Sequence, residues 1–164
     1  MYFLFDIDPP SAHFSFGLHS DLNCPEKPIF SAPHAHGSAI NAIDGCGGLG
    51  GVGHGAAELI TGGRDGCVRV WDPRVPDAVL VLQPSSAPHT SSSNILGSSG
   101  GNVHPGSGTR DCWAVAFGNS FSADERCIAA GYDNGDVKLF DLRSSSMRWE
   151  DNVGNGVVSV EFDR

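Results

Sequence analysis

The sequence predicts an all-β chain built from four-stranded antiparallel units, and three observations lead to this fold class. The 164 residues include 22 glycines and 10 prolines, a turn content that suits strands better than helices. The stretch GGRDGCVRVWDPR (62–74) is repeated in its main features by AGYDNGDVKLFDLR (130–143). In both copies apolar residues alternate with polar ones after a turn motif, which is the period of a strand with one buried face.

Each copy is predicted to be the centre of a four-stranded meander. The turn motifs RDG and YDNG are typical of tight hairpins, because Gly and Asn tolerate positive φ. AAELIT and ERCIAA precede the turns, and CVRVW and DVKLF follow them. SAINAID and CWAVAF supply a strand upstream of each hairpin, and AVLVLQ and MRWEDN supply one downstream. GVVSVEF (156–162) is predicted to be the first strand of a third unit.

The spacing between the two units depends on an inserted tract. Trp71 and Phe140 are 69 residues apart, but the 24 residues 85–108 consist mostly of Ser, Gly, Pro and His and carry no charged side chain. Such a tract buries too little apolar surface to offset its ordering entropy, so we expect a flexible loop. Without these 24 residues the 69-residue spacing becomes 45, which falls within the period of about 40–45 residues of WD repeats.

The first complete unit resembles a WD repeat at four positions. His36 stands where that family has the histidine of a Gly-His pair, although Ala replaces the Gly, and Thr61, Asp65 and Trp71 match the other members of the family's hydrogen-bonded network. The resemblance implies that these side chains pin a propeller blade.

The second unit keeps less of this pattern. Of the network residues Asp133 alone is matched, while Ala129 and Phe140 replace the Thr and the Trp. We therefore expect apolar packing alone to hold this blade.

The resemblance implies a partial WD-repeat β-propeller of about two and a half four-stranded antiparallel blades. Residues 1–20 do not fit the pattern, 21–84 hold the end of one blade and the first complete one, and 85–108 form the insertion. Residues 109–155 form the second blade, and 156–164 begin a truncated third. Because a propeller closes with about four to eight blades, both ends look cut. We expect open sheet edges and no stable monomer of this chain alone.

Composition and charge argue against several classes of protein. The net charge is −9, with no cluster of Lys and Arg, so nucleic acid and anionic membrane are poor partners. The five cysteines are odd in number and lack a CxxC pair, which is typical of reduced thiols rather than of a disulfide scaffold or zinc site. The first ten residues, MYFLFDIDPP, resemble neither a signal peptide nor a membrane span.

No motif in the chain predicts catalysis, a cofactor or a metal. GCGGLG (45–50) satisfies GxGxxG, but the residues after it are too rich in glycine and too short to form the helix that a dinucleotide site needs. The seven histidines lack neighbouring ligands at suitable offsets, and no GxSxG is present. We predict a protein that is not an enzyme and takes no small-molecule substrate.

Longer strings point to a function by resemblance. INAIDGCGGLG, RDCWAVAFGN, ERCIAAGYDNGDVKLFDLR and RWEDNVGNGVVSVEFDR are together similar to the WD-repeat family of cytoplasmic dynein-arm assembly factors. This resemblance implies a cytoplasmic, non-catalytic scaffold that links the prefoldin-like and RuvB-like ATPase co-chaperone complex to dynein heavy chains.

A second hypothesis comes from WDPR and FDLR, which each contain Asp-x-Arg. This motif resembles the box by which WD-repeat substrate receptors dock onto cullin-based ubiquitin ligases, and the alternative interpretation is a local Asp–Arg pair. As candidate partner-binding residues near turns we name Arg64, Arg74, Tyr132 and Arg143.

Overall fold

A computed structural model describes residues 2–6, 12–17, 30–46, 58–83, 110–118 and 126–162. The predicted insertion at 85–108 and the GCGGLG loop after Cys46 lie outside these residues. The described residues contain eleven strands in three antiparallel sheets and no helix, which confirms the all-β prediction.

The three sheets follow one another along the chain. The N-terminal sheet has the order β1-β2-β3, the middle sheet β4-β5-β6-β7, and the C-terminal sheet β8-β9-β10-β11. The strands are β1 (Tyr2–Asp6), β2 (Ala12–Gly17), β3 (Phe30–His36), β4 (Ile40–Cys46), β5 (Glu58–Gly63), β6 (Val68–Trp71), β7 (Leu80–Leu82), β8 (Cys112–Gly118), β9 (Cys127–Tyr132), β10 (Asp136–Asp141) and β11 (Ser146–Asn152).

The two predicted meanders are both present. Each sequence-predicted strand of the middle and C-terminal sheets matches one of β4 to β11, with bounds that differ by at most two residues. The hairpin turns close as predicted, because Gly66 and Gly135 adopt φ values of 75° and 91° that favour glycine.

Two apolar clusters join the three sheets. One lies between the N-terminal and middle sheets and is built from Phe30, Ala32, Ala35, Leu59 and Trp71. The other lies between the middle and C-terminal sheets and includes Ile60, Val68, Val70, Val115, Phe117, Ile128 and Phe140. Each sheet therefore buries a face against its neighbour, as successive blades do in a propeller.

Residues 156–162, predicted to be the first strand of a third unit, are not assigned to a strand, and their place in a third unit stays a prediction. These residues form no ladder with any described strand. They nevertheless lie against the C-terminal sheet, where the Val157 N–H donates to the Tyr132 carbonyl at 2.9 Å. Among the described residues no strand pairs with this segment.

Candidate interaction surface

A buried hydrogen-bonded network joins the N-terminal sheet to the middle sheet. His36 ends β3, Thr61 lies on β5 and Trp71 ends β6, and all three are at most 4% exposed. Thr61 Oγ1 lies 2.7 Å from His36 Nε2 and accepts the Trp71 indole N–H at 2.9 Å. The Thr61 hydroxyl thus contacts both His36 and Trp71 and joins β5 to β3 and β6.

Asp65 completes this network from the hairpin turn. Its Oδ1 lies 2.9 Å from His36 Nδ1, and its Oδ2 accepts the Gly37 N–H at 3.0 Å and a guanidinium N–H of Arg69 at 2.9 Å. Burial raises the pKa of the carboxyl, but the hydrogen bonds from these three groups outweigh burial and hold the pKa well below its usual range. The structure thus brings together the four side chains that the sequence singled out in the first unit.

The register of the C-terminal sheet corrects the interpretation of Asp133. Gly63 pairs with Ile40 and Tyr132 with Cys112 at the start of the two inner strands, so these two residues are equivalent. Counting from them, Asn134 and not Asp133 corresponds to Asp65. The side chain of Asp133 is exposed. The sequence prediction is wrong by one residue at this turn, because Asp133 and Asn134 are neighbours and either could match Asp65.

The C-terminal sheet has a polar network of its own, so the prediction of apolar packing alone is wrong. Asp136 is fully buried and accepts hydrogen bonds from Arg110 Nη1 and Asn152 Nδ2, both at 2.7 Å. Lys138, 2% exposed, places Nζ 2.9 Å from Glu150 Oε1. Buried charges of this kind need such partners to offset desolvation, and the sequence signal is their position at alternate residues of β10.

Tyr132 does not belong to the exposed candidates. It is 1% exposed, packs in the cluster between the middle and C-terminal sheets, and has the Lys138 ammonium 5.3 Å from its ring centroid. Burial is the main cause that raises the pKa of its phenol. Tyr132 holds the register position of Gly63 in the middle sheet, and its burial does not agree with the expectation of an exposed partner-binding residue.

Exposed side chains gather where the hairpin turns and the starts of the inner strands meet, and we call this surface the turn face. The Arg64 side chain is 66% exposed, with Nε 3.4 Å from Asp111 Oδ2. Trp113 on β8 is 40% exposed and lies against Gly156, where a Cβ would come within 2.8 Å of its ring. Sequence reasoning missed Trp113, because a tryptophan in an apolar strand is ordinarily core.

The two Asp-x-Arg motifs adopt the same turn. Asp72 Oδ1 accepts the Arg74 backbone N–H at 3.0 Å, and Asp141 Oδ1 accepts that of Arg143 at 2.8 Å. The Arg74 guanidinium also folds back on Asp72, with Nε 2.8 Å from Oδ1 and Nη2 2.5 Å from Oδ2, while the side chain stays 74% exposed. Arg74 lowers the pKa of Asp72 to about 2 through these hydrogen bonds.

A cavity of about 640 Å³ lies between the inner strands β4 and β8 and the segment 156–162. Its walls are formed by Ile43, Asp44, Val115, Ala116, Val160, Glu161 and Phe162. Asp44 also ties the two inner strands together, since its Oδ2 accepts the Phe117 N–H at 2.8 Å.

Among the described residues no three His, Cys, Asp or Glu side chains converge as metal ligands, and no helix there could cross a membrane.

Comparison with known proteins agrees with this architecture. The family model "WD domain, G-beta repeat" matches residues 27–72 and 100–141. The chain is 51% identical over 144 residues to "Dynein axonemal assembly factor 10" of Chlamydomonas reinhardtii and 48% identical over 153 residues to the protein of that name in Homo sapiens. These matches cover 88% and 92% of the chain but 35% and 37% of the relatives, so the chain spans about a third of their length.

Among solved structures, the crystal structure of Saccharomyces cerevisiae Sqt1 is 13% identical, with a TM-score of 0.40, and the match covers 94% of this chain and 49% of Sqt1. The family model covers more than half of the 164 residues, and its two matches contain β3 to β6 and β8 to β10. The chain therefore belongs to the WD domain, G-beta repeat family.

Proposed function

We propose that this chain is part of a non-catalytic scaffold that acts in the cytoplasm during assembly of axonemal dynein arms. The observation that carries the proposal is its 51% identity over 144 residues to an assembly factor of that name. The match covers 88% of this chain. Because the matches cover only 35% and 37% of the relatives, their role is carried over only as a proposal.

The mechanism is rigid display of loops and strand starts. The network around Thr61 and the apolar clusters fix the sheets against one another, so that the turn face presents its side chains in a constant arrangement. Exposed Trp and Arg residues are enriched at protein interfaces, and this surface offers both in Trp113 and Arg64. The protein needs no cofactor for this role.

The partners in this proposal are proteins. They are the prefoldin-like and RuvB-like ATPase co-chaperone complex on one side and dynein heavy chains on the other, as the resemblance implies. The net charge of −9 disfavours nucleic acid and anionic membrane as competitors for the same surface.

A segment exchange tests the proposal. In Chlamydomonas reinhardtii cells that lack the 51% identical relative, a chimera that carries this chain in place of the matched 144 residues is expressed. We expect dynein arms to return in electron micrographs of the cilia. Normal arms in the cells that lack the relative, or a chimera that is stable but restores no arms, would contradict the proposal.

The turn face is tested separately in the same chimera. The double variant Trp113→Ala/Arg64→Ala should lose co-purification with one of the two partner groups while its abundance stays unchanged. Trp149→Ala is the matched control, since that tryptophan is similarly exposed, at 49%, but lies on the outer strand β11. Equal loss in the double variant and the control would move the binding surface elsewhere.

The identical turns of the two Asp-x-Arg motifs favour a second candidate, a substrate receptor of a cullin-based ubiquitin ligase. An exposed ion pair such as Asp72–Arg74 contributes little to stability, so a partner could displace it. Arg74→Ala/Arg143→Ala should then abolish co-purification with a cullin adaptor and leave the co-chaperone association intact. A double variant that keeps every partner removes this candidate.

A further inference from the structure

The turn between β10 and β11 carries three consecutive serines between two arginines. Its sequence is RSSSMR (143–148), and all six residues are exposed. Asp141 and Ser146 form the last pair of the two strands, so four residues make the turn. Asp141 Oδ1 accepts the N–H groups of Arg143 and Ser144 at 2.8 and 3.3 Å. The fold therefore holds the serines at a fixed place on the outside of the sheet.

The conformation of the turn does not require these serines. Ser145 has a φ of 51°, which Gly and Asn adopt at lower cost. The Oγ atoms of Ser144 and Ser146 lie 2.7 Å apart and form an exposed hydrogen bond. In the middle sheet the residues after the first Asp-x-Arg motif are VPD (75–77), which carry no hydroxyl group. A turn after Asp-x-Arg therefore forms without serine.

Two guanidinium groups lie near Ser146. Asp141 is its partner across the hairpin. The N–H groups of Ser144 and Arg143 lower the pKa of the Asp141 carboxyl, burial raises it, and the charges of Arg148 and Arg143 lower it further. The register shift between Leu139 and Phe140 leaves Arg148 without an opposite residue on β10, and such a bulge redirects a side chain. Both arginines are therefore close to the pair that Asp141 forms with Ser146.

The charge pattern around Ser146 is unique in the sequence. Ser146 is the only serine or threonine that lies three residues after a Lys or Arg, and Arg148 follows it by two. Protein kinases select their substrates by such charge patterns. Among the described strands β11 pairs with β10 alone, so the serine lies on the outer strand of its sheet. A kinase can therefore reach this serine from the open side of β11.

We propose that Ser146 is the phosphorylation site of a protein kinase that selects arginine before its acceptor, and that Arg143 and Arg148 bind the phosphate. Ser146 Oγ attacks the γ-phosphorus of ATP, the bond from that phosphorus to the departing ADP breaks, and the hydroxyl proton passes to the kinase. The product carries a charge of about −1.5 to −2 at pH 7 and three acceptor oxygens, which suit guanidinium donors.

The modification distinguishes the two Asp-x-Arg motifs. It places a phosphate beside Arg143 of FDLR (140–143), whereas the residues after WDPR (71–74) offer no hydroxyl group to modify. Phosphorylation therefore occupies the arginine of one motif and leaves that of the other unchanged. The inference concerns the chemistry of this turn and stands independently of the role in dynein arms.

Labelling of the 164-residue chain with ATP and a purified arginine-directed serine kinase tests the acceptor. We expect one phosphate, which peptide mapping by mass spectrometry places on Ser146. Arg143→Ala should lower the initial rate about tenfold, since the kinase loses a hydrogen bond to a charged group. Arg148→Ala is the matched control and should keep the rate. A chain without label on Ser146, or equal rates in all three chains, would overturn the proposal.

The contact of the phosphate with the arginines is tested by encoding phosphoserine in place of Ser146. Its second pKa is about 6 when free, and the two guanidinium groups, opposed by the Asp141 carboxylate alone, should lower it to about 5 in the folded chain. Phosphorus NMR titrations in buffer and in concentrated urea measure the difference. Arg143→Ala/Arg148→Ala should return the folded value to that in urea. Equal values in buffer and urea without these substitutions, or a double variant that keeps the low value, would refute the contact.

Discussion

Replacing Thr61 by Val tests whether one hydroxyl group holds the middle sheet to the N-terminal sheet. The substitution preserves the shape of the side chain but removes the oxygen that lies 2.7 Å from His36 Nε2 and 2.9 Å from Trp71 Nε1. Both nitrogens are buried, and an orphaned buried polar group costs about 1–3 kcal/mol. The two orphaned nitrogens together cost about 2–6 kcal/mol and the added methyl group gives back about 0.8 kcal/mol, so we expect Thr61→Val to lower the free energy of unfolding by about 1–5 kcal/mol.

Urea unfolding followed by far-UV circular dichroism measures this change, because a shift of the midpoint at constant slope reports stability. Thr61→Ser is the matched control, since it keeps the hydroxyl and loses only one methyl group, at a cost of about 1 kcal/mol. If Thr61→Val is as stable as Thr61→Ser or more so, the network does not stabilise the fold and the reasoning about it fails.

Three further outcomes are expected. The pKa of the Asp65 carboxyl is lower in the folded chain than in the unfolded chain, so the carboxylate contributes to stability above about pH 4, and this contribution is lost as the pH falls through the folded pKa. Urea midpoints below pH 4 should therefore fall less steeply in Asp65→Asn than in the wild-type chain. Gly63→Ala should lower the free energy of unfolding, measured in urea, by about 1–3 kcal/mol, because its Cβ would overlap the His36 ring. Gly37→Ala is the control and should be close to neutral, since a Cβ there meets nothing closer than 3.7 Å. Burial raises the pKa of the Cys112 thiol to about 12, so peptide mapping after iodoacetamide treatment at pH 8 should find Cys112 modified in urea but not in buffer; equal labelling in both conditions would contradict its burial.

The strands were predictable from the sequence because their signals are local. The alternation of Val68 and Val70 around Arg69, and the glycine that each hairpin turn requires, are properties of a few neighbouring residues. The same alternation recurs in β10 and the same glycine in the turn before it. The eight strands β4 to β11 could therefore be placed to within two residues.

What failed depends on contacts between distant residues. Asp133 and Asn134 both suit a tight turn, and the strand register, a property of three paired strands, decides which corresponds to Asp65. Tyr132 has the composition of an interface residue, yet it is buried because the neighbouring sheet covers it.

In the two four-stranded sheets, the residues that set the spacing between sheets differ from those that a partner can contact. Gly62 and Gly131 hold the same register position. Gly62 allows β8 to approach closely, and Gly131 does the same for the segment 156–162. Positions that fix the spacing of sheets must repeat, since the same contact recurs between each pair of neighbours.

The turn face shows the opposite behaviour. Arg64 corresponds to Asp133, so the charge at the turn is reversed from one sheet to the next, and Asn41 corresponds to Trp113. The side-chain amide of Asn41 donates a hydrogen bond to the Cys112 carbonyl at 3.1 Å, whereas Trp113 is 40% exposed. A partner that contacts both sheets meets a basic turn, an acidic turn and an aromatic ring between them. It can therefore bind in only one register, although the frame beneath it repeats.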